Sequence, residues 1–150
     1  MAIATGTMTV TITESLDVGT TVMDTATSVA ETITVNDIYK RVITCPTSEI
    51  VLYLTHASVA QGYVLDKDLI KYARITNYDG SNFVTLRVTD SNNDEFAYKL
   101  AAGQSFILWG HAASMSAADA AGAGSVNADI TSVEAQADTA ACDLEIVIAS

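Results

Sequence analysis

Apolar side chains in this chain return at every second residue, and hardly anywhere at the three- and four-residue spacing that a helix needs. Met8, Val10 and Ile12 alternate with threonines, Val84, Leu86 and Val88 alternate with Thr85 and Arg87, and Leu144, Ile146 and Ile148 share one side of a third run. Side chains on an extended strand point to opposite faces in turn, so each run has one face for a core and one for another use. A chain patterned this way folds by laying strands side by side, and its architecture depends on where the turns fall.

The most explicit turns lie between Tyr72 and Leu108. Ala73-Arg-Ile75 leads into the polar stretch 77–82, Asp90-Ser-Asn-Asn-Asp94 separates the Val84 run from Phe96, Tyr98 and Leu100, and Ala102-Gly103-Gln104 introduces Ser105-Phe-Ile-Leu108. Asn, Asp and Gly supply the side-chain bonds and backbone freedom that turns require, so this region is expected to be a β-meander of three or four consecutive strands. Residues 7–13, 31–35, 38–44, 62–65, 130–135 and 142–148 read as further strands. Pro46, which has no N–H for a ladder, closes one of them. The run Glu49-Ile-Val-Leu-Tyr-Leu54 is the richest in β-formers and is expected at the centre of a sheet. Residues 15–28 carry no clear period, and residues 55–62 read as a loop.

Nine or ten short strands with regular turns and no amphipathic helix imply an all-β fold, an antiparallel β-sandwich, with a jelly roll as one form it can take. At 150 residues the chain is read as one domain spanning 1–150, long enough to bury a core without staples. Two segments stand apart from it. One is a possible N-terminal arm over residues 1–20. The other is a loop over residues 112–124 built almost wholly from Ala, Ser, Gly and Met, whose glycines Gly122 and Gly124 break any helical run.

The net charge is −11, and its distribution matters more than its size. All seven basic residues lie between Lys40 and Lys99, where seven acids match them, while residues 1–39 carry five acids and residues 100–150 carry six. Acidic ends and a neutral middle disfavour nucleic acid as a partner, because affinity for a polyphosphate comes from Lys and Arg. No apolar run approaches the ~20 residues of a membrane span, and the start lacks the basic residues of a secretory signal, so a membrane partner is not expected either.

The residues that can carry chemistry are few. His56 and His111 are the only histidines, and neither has metal-ligand spacing, so no metal site is expected. The stretch 90–95 offers oxygen donors at alternate positions but lacks the glycine and distal glutamate of a calcium loop, and reads as a hairpin connection. Trp109 with Tyr72, Tyr78 and Tyr98 is a candidate aromatic platform for a sugar ring, against the plainer reading of core and edge packing. Cys45 and Cys142, the only cysteines, read as free, partly buried thiols; one bridge between an early and the last strand requires adjacent Cβ atoms. No nucleophile stands with a base, and no glycine-rich phosphate loop is present, so no catalytic residue, cofactor or enzymatic activity is expected.

Residues 71–77, Asp79-Gly80, Phe83-Val84 and the stretch 96–108 resemble a pattern in small virion proteins of tailed bacteriophages. There a strand ending in Thr-Asn is followed by a strand, a polar loop and a strand entered by Leu-x-x-Gly-x-Ser, here Leu100-Ala-Ala-Gly-Gln-Ser105. The closing stretch 137–148 is similar to the last strands of the same group, so the resemblance covers about a third of the chain and leaves residues 1–35 outside. It implies a β-sandwich that assembles symmetrically on a virion: a capsid decoration, or cement, protein that stabilises the shell, or else a tail, neck or fibre component. The implied partners are copies of itself, as a trimer, and the major capsid protein or other virion proteins; the implied location is the virion, assembled in the host cytoplasm. Residues 1–20 and 112–124 are the expected contact segments. A carbohydrate-binding or receptor-binding tip is the alternative, and a sandwich fold by itself is compatible with either.

Overall fold

The computed structural model describes residues 5–14, 27–56, 64–109, 114–115 and 128–150, all as strands or their connections. No helix occurs among them. The chain divides into two compact units, Met1–Asn36 and Asp37–Ser150.

The described residues of the first unit form one antiparallel hairpin. Strand β1 (Gly6–Glu14) runs against β2 (Thr27–Val35) without a register shift, from Gly6 opposite Val35 to Glu14 opposite Thr27. Residues directly opposite share a face, so the period read from Met8, Val10 and Ile12 is completed by Ile33, Glu31 and Val29. The other face pairs Thr7 with Thr34, Thr9 with Thr32, Thr11 with Ala30 and Thr13 with Ser28. Of the arm anticipated over residues 1–20, residues 6–14 form β1 and residues 1–4 and 15–20 lie outside the described residues; among the described strands β1 and β2 pair only with each other.

The second unit is a β-sandwich. One sheet has the order β3-β12-β6-β9, with β3 at Ile38–Cys45, β12 at Cys142–Ala149, β6 at Tyr72–Asn77 and β9 at Ser105–Trp109. The other has the order β5-β4-β11-β7-β8, with β5 at Val64–Asp66, β4 at Ile50–His56, β11 at Ala128–Ala137, β7 at Val84–Asp90 and β8 at Glu95–Leu100. A short β10 (Ser114–Met115) adds to β11, and β5 lies parallel to β4 where all other pairs are antiparallel. The antiparallel partners nest: β3 with β12, β4 with β11, β6 with β9, β7 with β8, alternating between the two sheets.

This nesting corrects two expectations. The stretch 72–108 has the four strands and the turns read from sequence, but it is not a meander: β6 and β9 lie in one sheet, β7 and β8 in the other. The chain crosses between sheets at 78–83 and again at 101–104, and both connections are hydrogen-bonded to Asn77. Nor is the run 49–54 central. Among the described residues the outer edge of β4 is met by the three-residue β5, at Leu54 to His56 alone, and Val51 is exposed; the middle strand of that sheet is β11.

The core is formed where the inward faces meet. Leu144, Ile146, Ile148 and Ile75 come from one sheet and Leu52, Tyr53, Leu86, Leu100, Ile130 and Val133 from the other, each essentially inaccessible to water. Burying side chains of this size is worth about 1.5–3 kcal/mol apiece, which is what holds the sheets together. The β11 ladder shifts register between Ile130 and Ser132, and there threonine hydroxyls satisfy carbonyls: Thr131 donates to Thr89 O and Asp90 O, and Thr55 donates to Ile130 O.

Candidate interaction surfaces

The residues that carry the sequence pattern meet at one end of the sandwich. Asn77, fully buried, uses every polar atom it has. Its N–H donates to Gln104 O (2.9 Å) and its C=O accepts from Gly103 N (3.0 Å). Its Nδ2 donates to Asn82 O (2.9 Å) and Leu100 O (3.3 Å), and its Oδ1 accepts from Asp79 N (3.0 Å). Beside it the Thr76 and Ser105 hydroxyls are 2.8 Å apart. Gly103 has φ +72°, the left-handed region open to glycine, which lets its N–H reach Asn77. Asp79 closes the knot by accepting from Ser81 N and Asn82 N, bonds that hold its carboxyl below the ordinary range. Thr-Asn and Leu-x-x-Gly-x-Ser are therefore two halves of one structural joint.

The candidates for chemistry are placed as follows. His56 ends β4 and is exposed; His111 lies outside the described residues. No group of His, Cys, Asp or Glu able to hold a metal ion occurs among the described residues. In the 90–95 loop, Asp90 is buried and its Oδ1 accepts from the backbone N–H of Asn92 (2.8 Å) and Asp94 (2.9 Å), while Asn93 takes φ 64°. This is an Asx turn, the hairpin connection read from sequence. The four aromatics do not share a platform. Tyr72 and Trp109 are cross-strand partners in edge-to-face contact at 6.0 Å, with Tyr72 buried. Tyr78 stands exposed past the far end of β6, and Tyr98 lies in the other sheet against Phe106 at 5.1 Å. Cys45 and Cys142 are free, buried, and directly opposite each other on β3 and β12.

Two charged groupings were not singled out from sequence. On the outer face of the β3-β12-β6-β9 sheet, Glu145 is buried and bonds Lys40 Nζ at 2.9 Å and Arg74 at 2.5 Å. The Lys40 bond, against the opposing effect of burial and helped by Tyr78 and Arg74, holds its carboxyl below the ordinary range. Val147 is buried beside it on the same strand face, whereas Ile38, Val42 and Ile107 on the neighbouring strands are exposed. On the other sheet Arg87 meets Glu49 (2.6 Å), Glu95 (3.0 Å) and Glu134. The signal for both was available: Glu145 and Arg87 sit at the outward phase of alternating strands, where a long charged side chain needs a cross-strand partner.

The remaining surface is the hairpin. Its apolar face includes Ile12 and Val29, 41% and 58% exposed, and the described part of its unit contains acids but no Lys or Arg. Of the other expected contact segment, 112–124, only Ser114 and Met115 fall among the described residues. Fold and surfaces together define an all-β sandwich preceded by a unit whose described residues pair as two strands with an apolar face. Comparison with family models, with curated proteins and with solved structures gave no match.

Proposed function

We propose that this chain is a non-enzymatic structural protein that assembles through its N-terminal hairpin, and that it serves as a capsid decoration protein of a tailed bacteriophage. The observation that carries the assembling role is the hairpin. Among the described strands this pair has no third neighbour, two strands alone are at best marginally stable in water, and Ile12 and Val29 on its apolar side are exposed. A partner strand or surface supplies what a third strand would otherwise give. The virion assignment rests on the resemblance of residues 71–108 and 137–148. It is supported by the nested order of the second unit, which we read as a jelly roll, an architecture used by viral capsid domains among others. In this reading the ionisable residues have structural duties: Asp79 and Asp90 in turns, Glu145 and Arg87 in ion groups.

The test is the mass of the purified protein by light scattering, together with sedimentation alongside expanded shells of the cognate major capsid protein. The expected result is a trimer that co-sediments. A protein that ignores the shell, whatever its mass, overturns the capsid assignment in favour of a tail or fibre component, for which a glycan array is the next measurement.

A further inference from the structure

The chain has two cysteines, 97 positions apart (142 − 45), and the fold sets them directly opposite each other. The ladder shows which kind of pair they form. Asp37 and Ser150 exchange both backbone hydrogen bonds, N to O at 3.1 and 3.0 Å, and the β3–β12 register runs from there to Cys45–Cys142 without a shift. Hydrogen-bonded pairs recur at every second residue, so Cys45 and Cys142 are again a hydrogen-bonded pair, with Cα atoms about 5.5 Å apart. That falls inside the roughly 4.4–6.8 Å that a disulfide spans, although the Cβ atoms of such a pair must draw closer to reach the usual ~3.8 Å. Both side chains point into the same buried layer. The Cys45 thiol lies 3.6 Å from Pro46 O and the Cys142 thiol 3.5 Å from Ala140 O, each turned to a carbonyl at its own strand end.

From this placement we infer that Cys45 and Cys142 are an oxidative modification site: a dithiol that closes to a strained, reversible cross-strand disulfide tying β3 to β12. The co-reactant is a low-molecular-weight disulfide. One cysteine thiolate attacks it, releasing one small thiol and leaving a mixed disulfide; the second thiolate attacks the protein sulfur of that intermediate and releases the other. Two protein thiols are oxidised, one small disulfide is reduced to two thiols, and the two thiol protons leave with them. Burial pushes the Cys45 thiol up to about 11, so the folded dithiol reacts slowly and the bond closes most readily as the chain folds. Because β3 opens the second unit and β12 ends it, the closed bond ties the unit's first strand to its last.

The experiment is refolding of the full chain in a glutathione redox buffer, with a parallel incubation kept in denaturant. The expected product of refolding has the mass of the reduced chain less two hydrogens and yields a Cys45–Cys142 linked peptide on digestion. Its melting temperature is about 5–15 °C above that of the reduced protein, and excess dithiothreitol removes the difference. Cys45→Ser and Cys142→Ser retain a glutathione adduct or a free thiol and show no redox-dependent melting. Two free thiols after refolding, glutathione adducts on wild type, or as much linked peptide from the denatured sample each overturn the inference.

Discussion

Single residues in this fold differ in how well their polar atoms are served, and that difference sets their substitution costs. Tyr53 is fully buried in the sandwich core, and its hydroxyl finds no hydrogen-bond partner among the described residues; burial alone pushes its ionisation far above the ordinary phenol range. A buried hydroxyl without a partner costs free energy that phenylalanine does not, so Tyr53→Phe is expected to leave stability unchanged or raise it by about 1 kcal/mol in urea unfolding. Glu145 is the opposite case. Its carboxyl is held below the ordinary range, chiefly by the bond from Lys40, so it contributes stability above the unfolded value of about 4.3 and loses it as pH falls through the lowered folded value. Lys40, raised by the same contact, gives up its share only as pH climbs past the usual lysine range. Glu145→Gln is therefore expected to cost roughly 1–2 kcal/mol at neutral pH, and the gap from wild type narrows as pH drops below about 4. A gap independent of pH between 7 and 3 would mean that Glu145 acts through packing and not through its charge.

Strands and turns were largely legible in the sequence; their assignment to sheets was not. Alternation located β6, β7, β8 and β9 between the right turns, because period and turn chemistry are local. Which sheet each strand joins rests on contacts distant in sequence, and both crossings are tied to Asn77, a bond hub that reaches residues 79, 82, 100, 103 and 104. A single sequence gives no sign that one asparagine ties these segments together, so the stretch reads as a meander. The same limit applied to residues 49–54: β-propensity reports how well a strand suits a sheet, while its rank in the sheet depends on β11, some eighty residues away. The hub makes a prediction at this scale. Asn77→Asp keeps size and the bond from Asp79 N but replaces the Nδ2 donor with a second acceptor facing two carbonyls. It is expected to destabilise the protein by about 2–4 kcal/mol, more than Gly103→Ala, which forces alanine into the left-handed region at about 1–2 kcal/mol. Equal unfolding midpoints for wild type and Asn77→Asp would remove Asn77 from its role as the joint.

For the molecule as a whole, the question is what the hairpin touches. Its two faces differ chemically while sharing one backbone, which allows a controlled comparison. Val29 lies on the apolar face opposite Ile12, and Thr11 lies on the threonine face opposite Ala30. If the hairpin assembles by its apolar side, Val29→Lys places a charge in a desolvated contact, and the assembly is expected to dissociate at least tenfold more readily by light scattering across a dilution series. Thr11→Lys adds the same charge to the same two strands on the other side and is expected to leave the mass unchanged. The melting transition of the second unit serves as a control for folding, since neither substitution lies in residues 37–150. Loss of assembly with Thr11→Lys and not with Val29→Lys would assign the contact to the threonine face. An assembly that survives both would place it outside the hairpin, leaving the outer face around Glu145, Val42 and Ile107 as the surface to substitute next.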